Sequence, residues 1–219
     1  MSSDPAKERL YQAIGRVAAA LGSAGRLQIL EYVAQGERSV DALAAMTGLS
    51  VANTSKHLQA LRQSGLVNAR KAGLRVYYSI AGDDVSLLLA SLRGVAEHRA
   101  ADVDKLLQTW LAHRDELDAV PAREVLQRLK NGLVTVLDVR PAEEFAAGHL
   151  PGALNVPVEK LQTYLSKLPK RKEVIAYCRG PYCLMSFEAV DKLRKRGFKA
   201  KRLADGYPEW RAAGLPVER

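Results

Sequence analysis

Two cysteines, Cys178 and Cys183, are the only thiols in the 219-residue chain, and both stand in the segment AYCRGPYCLMSF. Residues 174–177, just before them, form an apolar run typical of a buried parallel strand. Apolar residues after them, from Leu184 onward, repeat at helical spacing. The two thiols are therefore predicted in a loop that leads from the carboxyl end of a strand to the start of a helix. In open α/β folds, ligands bind at that place.

A thiol in such a loop is expected to ionise at neutral pH. Loop N–H groups and the positive end of the helix dipole stabilise a thiolate, so the pKa of Cys178 is predicted below the value of about 8.5 for free cysteine. Arg179 beside it is expected to strengthen this effect.

Composition is that of an ordinary globular protein, with 47% hydrophobic and 26% charged residues. No apolar run approaches the roughly 20 residues of a membrane span, and the first residues do not resemble a signal peptide, so a cytoplasmic location is expected. The net charge of +9 is unevenly placed. Residues 1–118 carry 14 basic and 13 acidic side chains, whereas residues 119–219 carry 19 and 11. Basicity alone therefore does not indicate nucleic-acid binding.

The two halves of the chain have different patterns. The first half shows helical spacing in ERLYQAIGRVAAAL, AGRLQILEYVAQG and VDALAAMTGL, and a long helix is predicted over residues 84–117. Apolar residues near one face of that helix favour dimerisation; they are Leu88, Leu92, Val95, Val103, Leu106 and Trp110. The pattern breaks at Pro121. Beyond it, short β-branched runs alternate with amphipathic helices, which predicts an α/β domain with a largely parallel sheet. The boundary is predicted near residue 118.

The middle of the first half combines a capped helix with a basic hairpin. Gly48 is predicted to form a tight turn, and Ser50 is predicted to cap the next helix. The first turns of that helix carry side chains suited to the major groove, namely Asn53, Thr54, Ser55, Lys56, His57 and Gln59. Residues 68–80 then predict a β-hairpin. No acidic residue occurs from residue 42 to 82, whereas five basic ones do: Lys56, Arg62, Arg70, Lys71 and Arg75. Those on the hairpin are placed to neutralise phosphates.

These features resemble the ArsR family of winged helix-turn-helix repressors, through RLQILEYVAQGERSVDALAAMTGLSVANTSKHLQALRQSGLVNARKAGLRVYYSI. The resemblance implies a homodimer on a palindromic double-stranded DNA operator, with a recognition helix over residues 51–64 and a wing over 67–80. Many members sense metals. Here the helix before the recognition helix lacks cysteine, and on the last helix His113 and Glu116 lack matching upstream ligands, since Ala100 and Asp102 stand there and His98 is out of register. No metal site is expected.

Residues 119–219 resemble the rhodanese family of sulfurtransferases, through VTVLDVRPAEEFAAGHLPGALNVP and LADGYPEWRAAGLPV. The resemblance implies that Cys178 is the persulfide-forming nucleophile, that no cofactor is needed, and that the donor is a polysulfide, a persulfide or thiosulfate. The active-site loop also contains Arg179, Gly180, Pro181 and Tyr182. Asp138 and Arg140, at the end of an earlier strand, are expected near the same sheet edge, with Arg140 pairing with Glu143 or Glu144. His149 and Trp210 are expected to be structural.

Two features depart from related families. Phosphatases of this fold have a loop one residue longer that an arginine closes, but Leu184 stands at that position, so phosphate-ester chemistry is not expected. Pro181 removes one amide from the loop, and Cys183 replaces a hydroxyl residue usual in rhodaneses. A thiol at that position could attack a persulfide on Cys178, which would release sulfide and leave a disulfide, or would retain sulfur in a longer bridge. Inert packing of Cys183 at the helix start is the alternative.

Together the halves predict two domains: a mainly α winged helix-turn-helix domain at 1–118 and an α/β rhodanese-like domain at 119–219. The leading hypothesis is a repressor whose operator affinity depends on the sulfur state of Cys178 and Cys183. The alternatives are a sulfurtransferase tethered to DNA and a repressor that responds to another oxidant or electrophile.

Overall fold

The computed structural model describes residues 4–111 and 119–219. The chain divides into two compact units, Met1–Val85 and Ser86–Arg219. The predicted boundary at residue 118 lies outside the described residues and stays a prediction. None of the helices in the described part of the chain combines the length and the apolar content needed to cross a bilayer.

The first unit is a helix-turn-helix followed by a hairpin. Its elements are α1 (Pro5–Leu21), α2 (Ala24–Val33), β1 (Arg38–Ser39), α3 (Val40–Thr47), α4 (Val51–Gln63), β2 (Val67–Ala72) and β3 (Arg75–Ile80). The strands form an antiparallel sheet in the order β1-β3-β2. Leu43 of α3 and Leu58 and Leu61 of α4 are fully buried with Ile29 and Leu30 of α2, so the helices share one core. The predicted recognition helix and wing are confirmed as secondary structure.

The prediction of one long helix after the wing is wrong, because the structure has two shorter helices in the described part of this segment. They are α5 (Asp83–Arg99) and α6 (Ala101–Leu111). Ala100 separates them. Its N–H still donates to the carbonyl of Ala96, while its own carbonyl accepts the N–H of Val103 and so starts the second helix. No proline or glycine marks this break in the sequence. Four of the predicted apolar face residues are exposed in the single chain: Leu88, Leu92, Val95 and Leu106.

The remainder of the second unit is an α/β domain. Its elements are β4 (Ala119–Val120), α7 (Ala122–Lys130), β5 (Val134–Asp138), α8 (Ala142–Ala147), β6 (Leu154–Asn155), α9 (Leu161–Tyr164), a 3-10 turn (Leu165–Lys167), β7 (Glu173–Tyr177), α10 (Leu184–Lys195), β8 (Ala200–Leu203) and α11 (Tyr207–Ala212). The five strands are all parallel, in the order β4-β8-β7-β5-β6. This confirms the predicted parallel sheet.

The central strand β7 fixes the position of the thiol loop. Successive residues of a strand point to opposite faces of the sheet. Val174 and Ala176 accordingly belong to one hydrophobic cluster, and Ile175 and Tyr177 belong to another on the opposite face. Because both faces are covered, β7 is an almost continuous apolar run, and Cys178 directly follows its last residue.

Candidate functional site

The two thiols of the loop are joined. Cys178 is 2% exposed at the end of β7, and Cys183 is partly buried at the N-cap position of α10. A disulfide bond connects them, with their Cα atoms 6.1 Å apart. The four residues between them fold back, so that the N–H of Cys183 donates to the carbonyl of Gly180 at 3.1 Å. The geometry therefore allows the second thiol to react directly with the first.

The turn before α11 packs against the thiol loop. The N–H of Tyr207 donates to the carbonyl of Cys178 at 3.1 Å. A Cβ atom at Gly206 would lie 2.3 Å from the carbonyl of Arg179, so a larger residue does not fit there. The sequence motif containing Gly206 indicated a family, but nothing in its pattern predicted this role under the thiol loop.

The Arg179 side chain forms an ion pair within the domain. Its Nε donates to both carboxylate oxygens of Glu144, at 3.1 and 3.0 Å, and its Nη2 donates at 2.7 Å. Glu144 lies in α8 and its side chain is 1% exposed. Much of the positive potential of Arg179 is therefore offset by a carboxylate. The expectation from sequence that Arg179 favours a thiolate at Cys178 did not include this carboxylate.

Arg140 is buried and holds the neighbouring strand end in place. Its Nε lies 3.1 Å from both oxygens of Asp138, its Nη2 donates to Asp138 at 2.6 Å, and Nη2 also donates to the carbonyl of Gly148 at 2.8 Å. The guanidinium stacks over the rings of Tyr207 and Tyr177, at 4.4 and 5.4 Å. This arrangement is structural, and it fixes where β5 ends beside β7.

The pKa values of this cluster follow from burial and charge. Burial opposes the charge of Arg140, but hydrogen bonds and attraction to Asp138, with smaller contributions from Tyr177 and Glu144, raise its pKa. The main partner of Arg140 is thus Asp138, whereas pairing with Glu143 or Glu144 was expected, and the charge of Glu144 makes only a small contribution. Burial also raises the pKa of Tyr177, whose phenol donates to Asp138. Arg140 therefore stays charged and Tyr177 stays neutral across the physiological pH range.

Tyr182, between the two cysteines, connects the loop to α5. Its phenol donates a hydrogen bond to the carboxylate of Glu97. Burial raises its pKa, and the hydrogen bond and charge of Glu97 raise it further, while Arg93 lowers it. The phenol therefore remains a neutral donor at neutral pH. The sequence predicted Tyr182 in the loop, but no local pattern pointed to Glu97, which stands 85 positions away.

A second contact joins α5 to the segment under the loop. Arg93 forms an ion pair with Glu209, at the start of α11. The other oxygen of Glu209 accepts the N–H of Gly206 at 3.1 Å, and Gly206 is the residue that packs against the thiol loop. Glu97 and Arg93 lie one turn apart on α5. Glu97 thus contacts the loop itself, and Arg93 contacts the segment that packs against it.

Tyr182 also lines a pocket of about 650 Å³ with apolar residues of α6, namely Val103, Leu106 and Leu107.

The recognition helix α4 presents most of the predicted DNA-contacting residues to solvent. Ser50 caps it by accepting the N–H of Asn53 at 3.2 Å. The exposed members are Asn53, Lys56, Gln59 and Arg62, while Ser55 and His57 are half-buried. Burial and the charges of Arg26 and Lys56 lower the pKa of His57, so it is neutral at pH 7.

Thr54 corrects the sequence prediction, because its side chain is fully buried. It stands four residues before Leu58 and seven before Leu61, on the face of α4 that packs into the core. The methyl of Thr54 cannot reach a thymine from that position. Its hydroxyl has no hydrogen-bond partner among the residues that the structure describes.

The wing presents its three predicted basic residues, Arg70, Lys71 and Arg75, to solvent. Arg70 is already engaged within the domain: it donates to both oxygens of Glu37, at 3.0 and 2.5 Å, and lies over the Tyr77 ring. Lys71 and Arg75 flank the tip, where Gly73 adopts a positive φ of 60°. A phosphate contact by Arg70 would have to compete with Glu37.

Candidate metal ligands do not cluster in the described part of the chain. Within residues 4–111 and 119–219, no group of three or more His, Cys, Asp or Glu side chains is arranged to hold a metal ion. His98 lies on α5 with its Nδ1 atom 2.6 Å from the carbonyl oxygen of Gly94. His113 and Glu116 lie outside the described residues.

Comparisons with known proteins match each half separately. The family described as "Bacterial regulatory protein, arsR family" matches residues 23–69, and the family described as "Rhodanese-like domain" matches residues 121–213. A sulfurtransferase of Allochromatium vinosum is 32% identical over 85 residues, covering 38% of this chain and 78% of its own. A solution structure of the homodimeric winged helix-turn-helix DNA-binding domain of Mb0332 from Mycobacterium bovis is 43% identical, with a TM-score of 0.42, covering 47% of this chain and 94% of its own.

One relative matches both halves together. The HTH-type transcriptional regulator Rv0324 of Mycobacterium tuberculosis is 46% identical over 212 residues, which cover 97% of this chain and 93% of the relative. With the helix-turn-helix, the wing and the parallel sheet in place, the chain belongs to the ArsR family of DNA-binding transcriptional regulators and carries a rhodanese-like domain in its second half.

Proposed function

We propose that this protein is a transcriptional repressor whose operator affinity is set by sulfane sulfur or by oxidation at Cys178 and Cys183. The observation that carries the proposal is the bridged loop: both thiols lie within bonding distance, and Tyr182 between them is hydrogen-bonded to α5. A loop built for steady sulfur turnover needs a free nucleophile, whereas an internal bridge removes it. This favours a switch over a catalyst.

The chemistry proceeds in two balanced steps. The thiolate of Cys178 attacks a terminal sulfur of a polysulfide, forming a Cys178 persulfide and releasing a polysulfide one sulfur shorter. The Cys183 thiolate then attacks the sulfur atom of Cys178, which forms the disulfide and expels the outer sulfur, and this sulfur takes one proton from solvent and leaves as hydrosulfide. Two thiols are oxidised and one sulfane sulfur is reduced to sulfide. A low-molecular-weight thiol reverses the switch by reducing the bridge.

Formation of the Cys178–Cys183 bridge affects the winged helix-turn-helix through α5. Closing or opening the bridge moves Cys183 relative to Cys178, and Tyr182 immediately precedes Cys183. Its bond to Glu97 transmits that movement to α5, which begins three residues after the last residue of β3, Ile80. A coupling free energy of about 1–3 kcal/mol would change operator affinity roughly 5- to 150-fold. We propose that the bridged form leaves the operator.

The protein is proposed to act as a homodimer on double-stranded DNA in the cytoplasm, with a polysulfide, persulfide or thiosulfate as the small-molecule partner. The exposed apolar residues of α5 and α6, including Leu88, Leu92 and Val95, support dimerisation, because single soluble chains rarely leave such a row in water.

An affinity measurement on the reduced protein tests this function. Operator DNA is first selected from a pool of random duplexes, and binding is then followed by fluorescence anisotropy before and after polysulfide treatment. Wild type is expected to lose affinity, and Cys178→Ser is expected to keep it. A response in Cys178→Ser equal to that of wild type would show that the trigger lies elsewhere.

Mass spectrometry identifies the species formed. Trypsin cuts after Arg179, so the two cysteines fall on separate peptides that only a bridge holds together. A disulfide and a trisulfide then differ by the mass of one sulfur atom. The enzymatic alternative, supported by the similarity to the Allochromatium sulfurtransferase, predicts rapid thiosulfate–cyanide turnover in wild type and in Cys183→Ser alike.

A further inference from the structure

A group of basic side chains occupies the amino-terminal edge of the parallel sheet, at the opposite end of β7 from Cys178. Its members are exposed and stand in the segment before β7 or in the segment between α10 and β8; they are Lys167, Lys170, Arg171, Lys172, Arg196 and Lys199. The two segments lie side by side, because Val174 pairs with Ala200 and donates its N–H to the carbonyl of Lys199 at 2.8 Å. We call this group the basic edge.

The charges of the basic edge are not offset within the domain. None of its six members forms an ion pair in the described part of the chain, whereas neighbouring Lys192 and Lys195 pair with Glu188 and Asp191 on α10. Lys167 and Lys170 lie over aromatic rings, which hold them without neutralising them. The edge therefore accounts for most of the excess of positive charge in residues 119–219.

Two members of the basic edge line a common depression. Lys170 and Arg196 border a cavity of about 260 Å³ together with the polar side chains of Gln162 and Ser166. Two cations and two hydrogen-bonding groups around one opening suit a phosphate group, which needs both charge and hydrogen bonds.

We propose that the basic edge binds phosphates of double-stranded DNA outside the segment that α4 reads. A regulator of this family already brings DNA to the chain, and a group of exposed cations with no ion pair in the described part of the chain can neutralise phosphates of a duplex. This proposal depends on DNA binding and not on control by sulfur.

Attraction of anionic sulfur donors is a weaker explanation. Cys178 stands six positions after Lys172 along β7, which corresponds to about 20 Å at about 3.3 Å per residue. The Debye length at physiological salt is only about 8 Å, so the field of the basic edge is largely screened at the thiol. The basic edge is therefore placed to bind a partner that extends across the protein surface, such as DNA. It is too far from Cys178 to attract a small anionic sulfur donor to that thiol.

The test compares two charge-matched variants of the full-length, reduced protein. The edge variant R171Q/K172Q/R196Q removes three cations from the basic edge, and the control R123Q/K160Q/R219Q removes three exposed cations outside it. Binding is measured over a range of salt concentrations on two labelled duplexes. One is trimmed to the segment that the protein protects, and the other extends it on both sides by at least one helical turn.

The edge variant is expected to bind the long duplex several-fold more weakly at low salt. The slope of log K against log salt should decrease in magnitude by about 0.9 for every phosphate that the variant no longer neutralises. The control should keep the wild-type slope on both duplexes, and all proteins should agree on the trimmed duplex. Single variants K172Q and R196Q, checked by thermal melting, replace the triple variant if it does not fold.

An edge variant that keeps the wild-type slope on the long duplex would overturn the proposal. If Cys178 of that variant also reacts more slowly with polysulfide, the basic edge would be assigned to donor capture. Failure of the proposed sulfur switch is measured separately, by the polysulfide response of wild type, and leaves this test unaffected.

Discussion

Replacing Tyr182 with phenylalanine removes a single oxygen atom from the link between the thiol loop and α5. That oxygen donates to the Glu97 carboxylate, and a hydrogen bond to a charged group contributes about 1.5–3 kcal/mol. This range matches the coupling of about 1–3 kcal/mol that a useful switch needs. Since about 1.4 kcal/mol corresponds to a factor of ten in affinity, the variant is expected to lose a tenfold or larger part of its response.

The assay measures operator affinity of each protein in the reduced and bridged forms, and the ratio of the two affinities is the response. Tyr182→Phe is expected to bring that ratio close to one while the Cys178–Cys183 bridge still forms at the wild-type rate. Tyr164→Phe is the matched control, because that tyrosine lies outside the loop and its ring contact with Lys167 does not need the hydroxyl. Glu97→Gln keeps an acceptor without the charge and should lose only part of the response.

A Tyr182→Phe protein that forms the bridge and still changes its affinity as much as wild type would refute this route. The switch would then have to act through another contact, such as the Arg93–Glu209 ion pair. If instead the variant no longer forms the bridge, the hydroxyl shapes the loop itself, and the route through α5 is again wrong. Mass spectrometry of the bridged peptides distinguishes the two outcomes.

Three other substitutions test the thiol site and the recognition helix. Asp138→Asn removes the carboxylate that pairs with buried Arg140 and should lower the free energy of unfolding by about 3 kcal/mol or more in urea titration; a decrease below about 1 kcal/mol would contradict the pairing argument. Gly206→Ala places a Cβ atom 2.3 Å from the carbonyl of Arg179, so the melting temperature and the rate at which Cys178 reacts with polysulfide should both fall, and unchanged values would show that the loop has room. Thr54→Val replaces a buried hydroxyl that has no hydrogen-bond partner among the described residues, so stability should rise by about 1 kcal/mol with operator affinity unchanged, whereas weaker binding would restore Thr54 as a DNA contact.

The repeating elements of this chain could be predicted from its sequence because their signals are local. A short apolar run identifies the strand before Cys178, helical spacing identifies the helix after it, and the capping serine at position 50 marks the start of the recognition helix. The burial of Thr54 also has a local signal, because its spacing from Leu58 and Leu61 is that of one helix face. Its polar side chain instead favours a prediction on the DNA-facing side.

The partners of the charged residues could not be predicted in the same way. Arg179 pairs with Glu144, and Tyr182 binds Glu97, 35 and 85 positions away. Such contacts depend on how separate elements pack, and periodicity within one element carries no information about that. The break at Ala100 has no local signal either, since neither proline nor glycine accompanies it.

The two cysteines are held unequally, and this asymmetry indicates where a change in the bridge must act. Cys178 is almost fully buried at the end of a central strand, and its carbonyl is fixed by the N–H of Tyr207. Cys183 is only partly buried, at a helix start that has no side-chain cap. Opening the bridge therefore costs less distortion if Cys183 moves and Cys178 stays. Tyr182 directly precedes Cys183 in the chain, so a movement of Cys183 displaces Tyr182 and changes its contact with Glu97. The strand β7, which ends beside Cys178, stays in place.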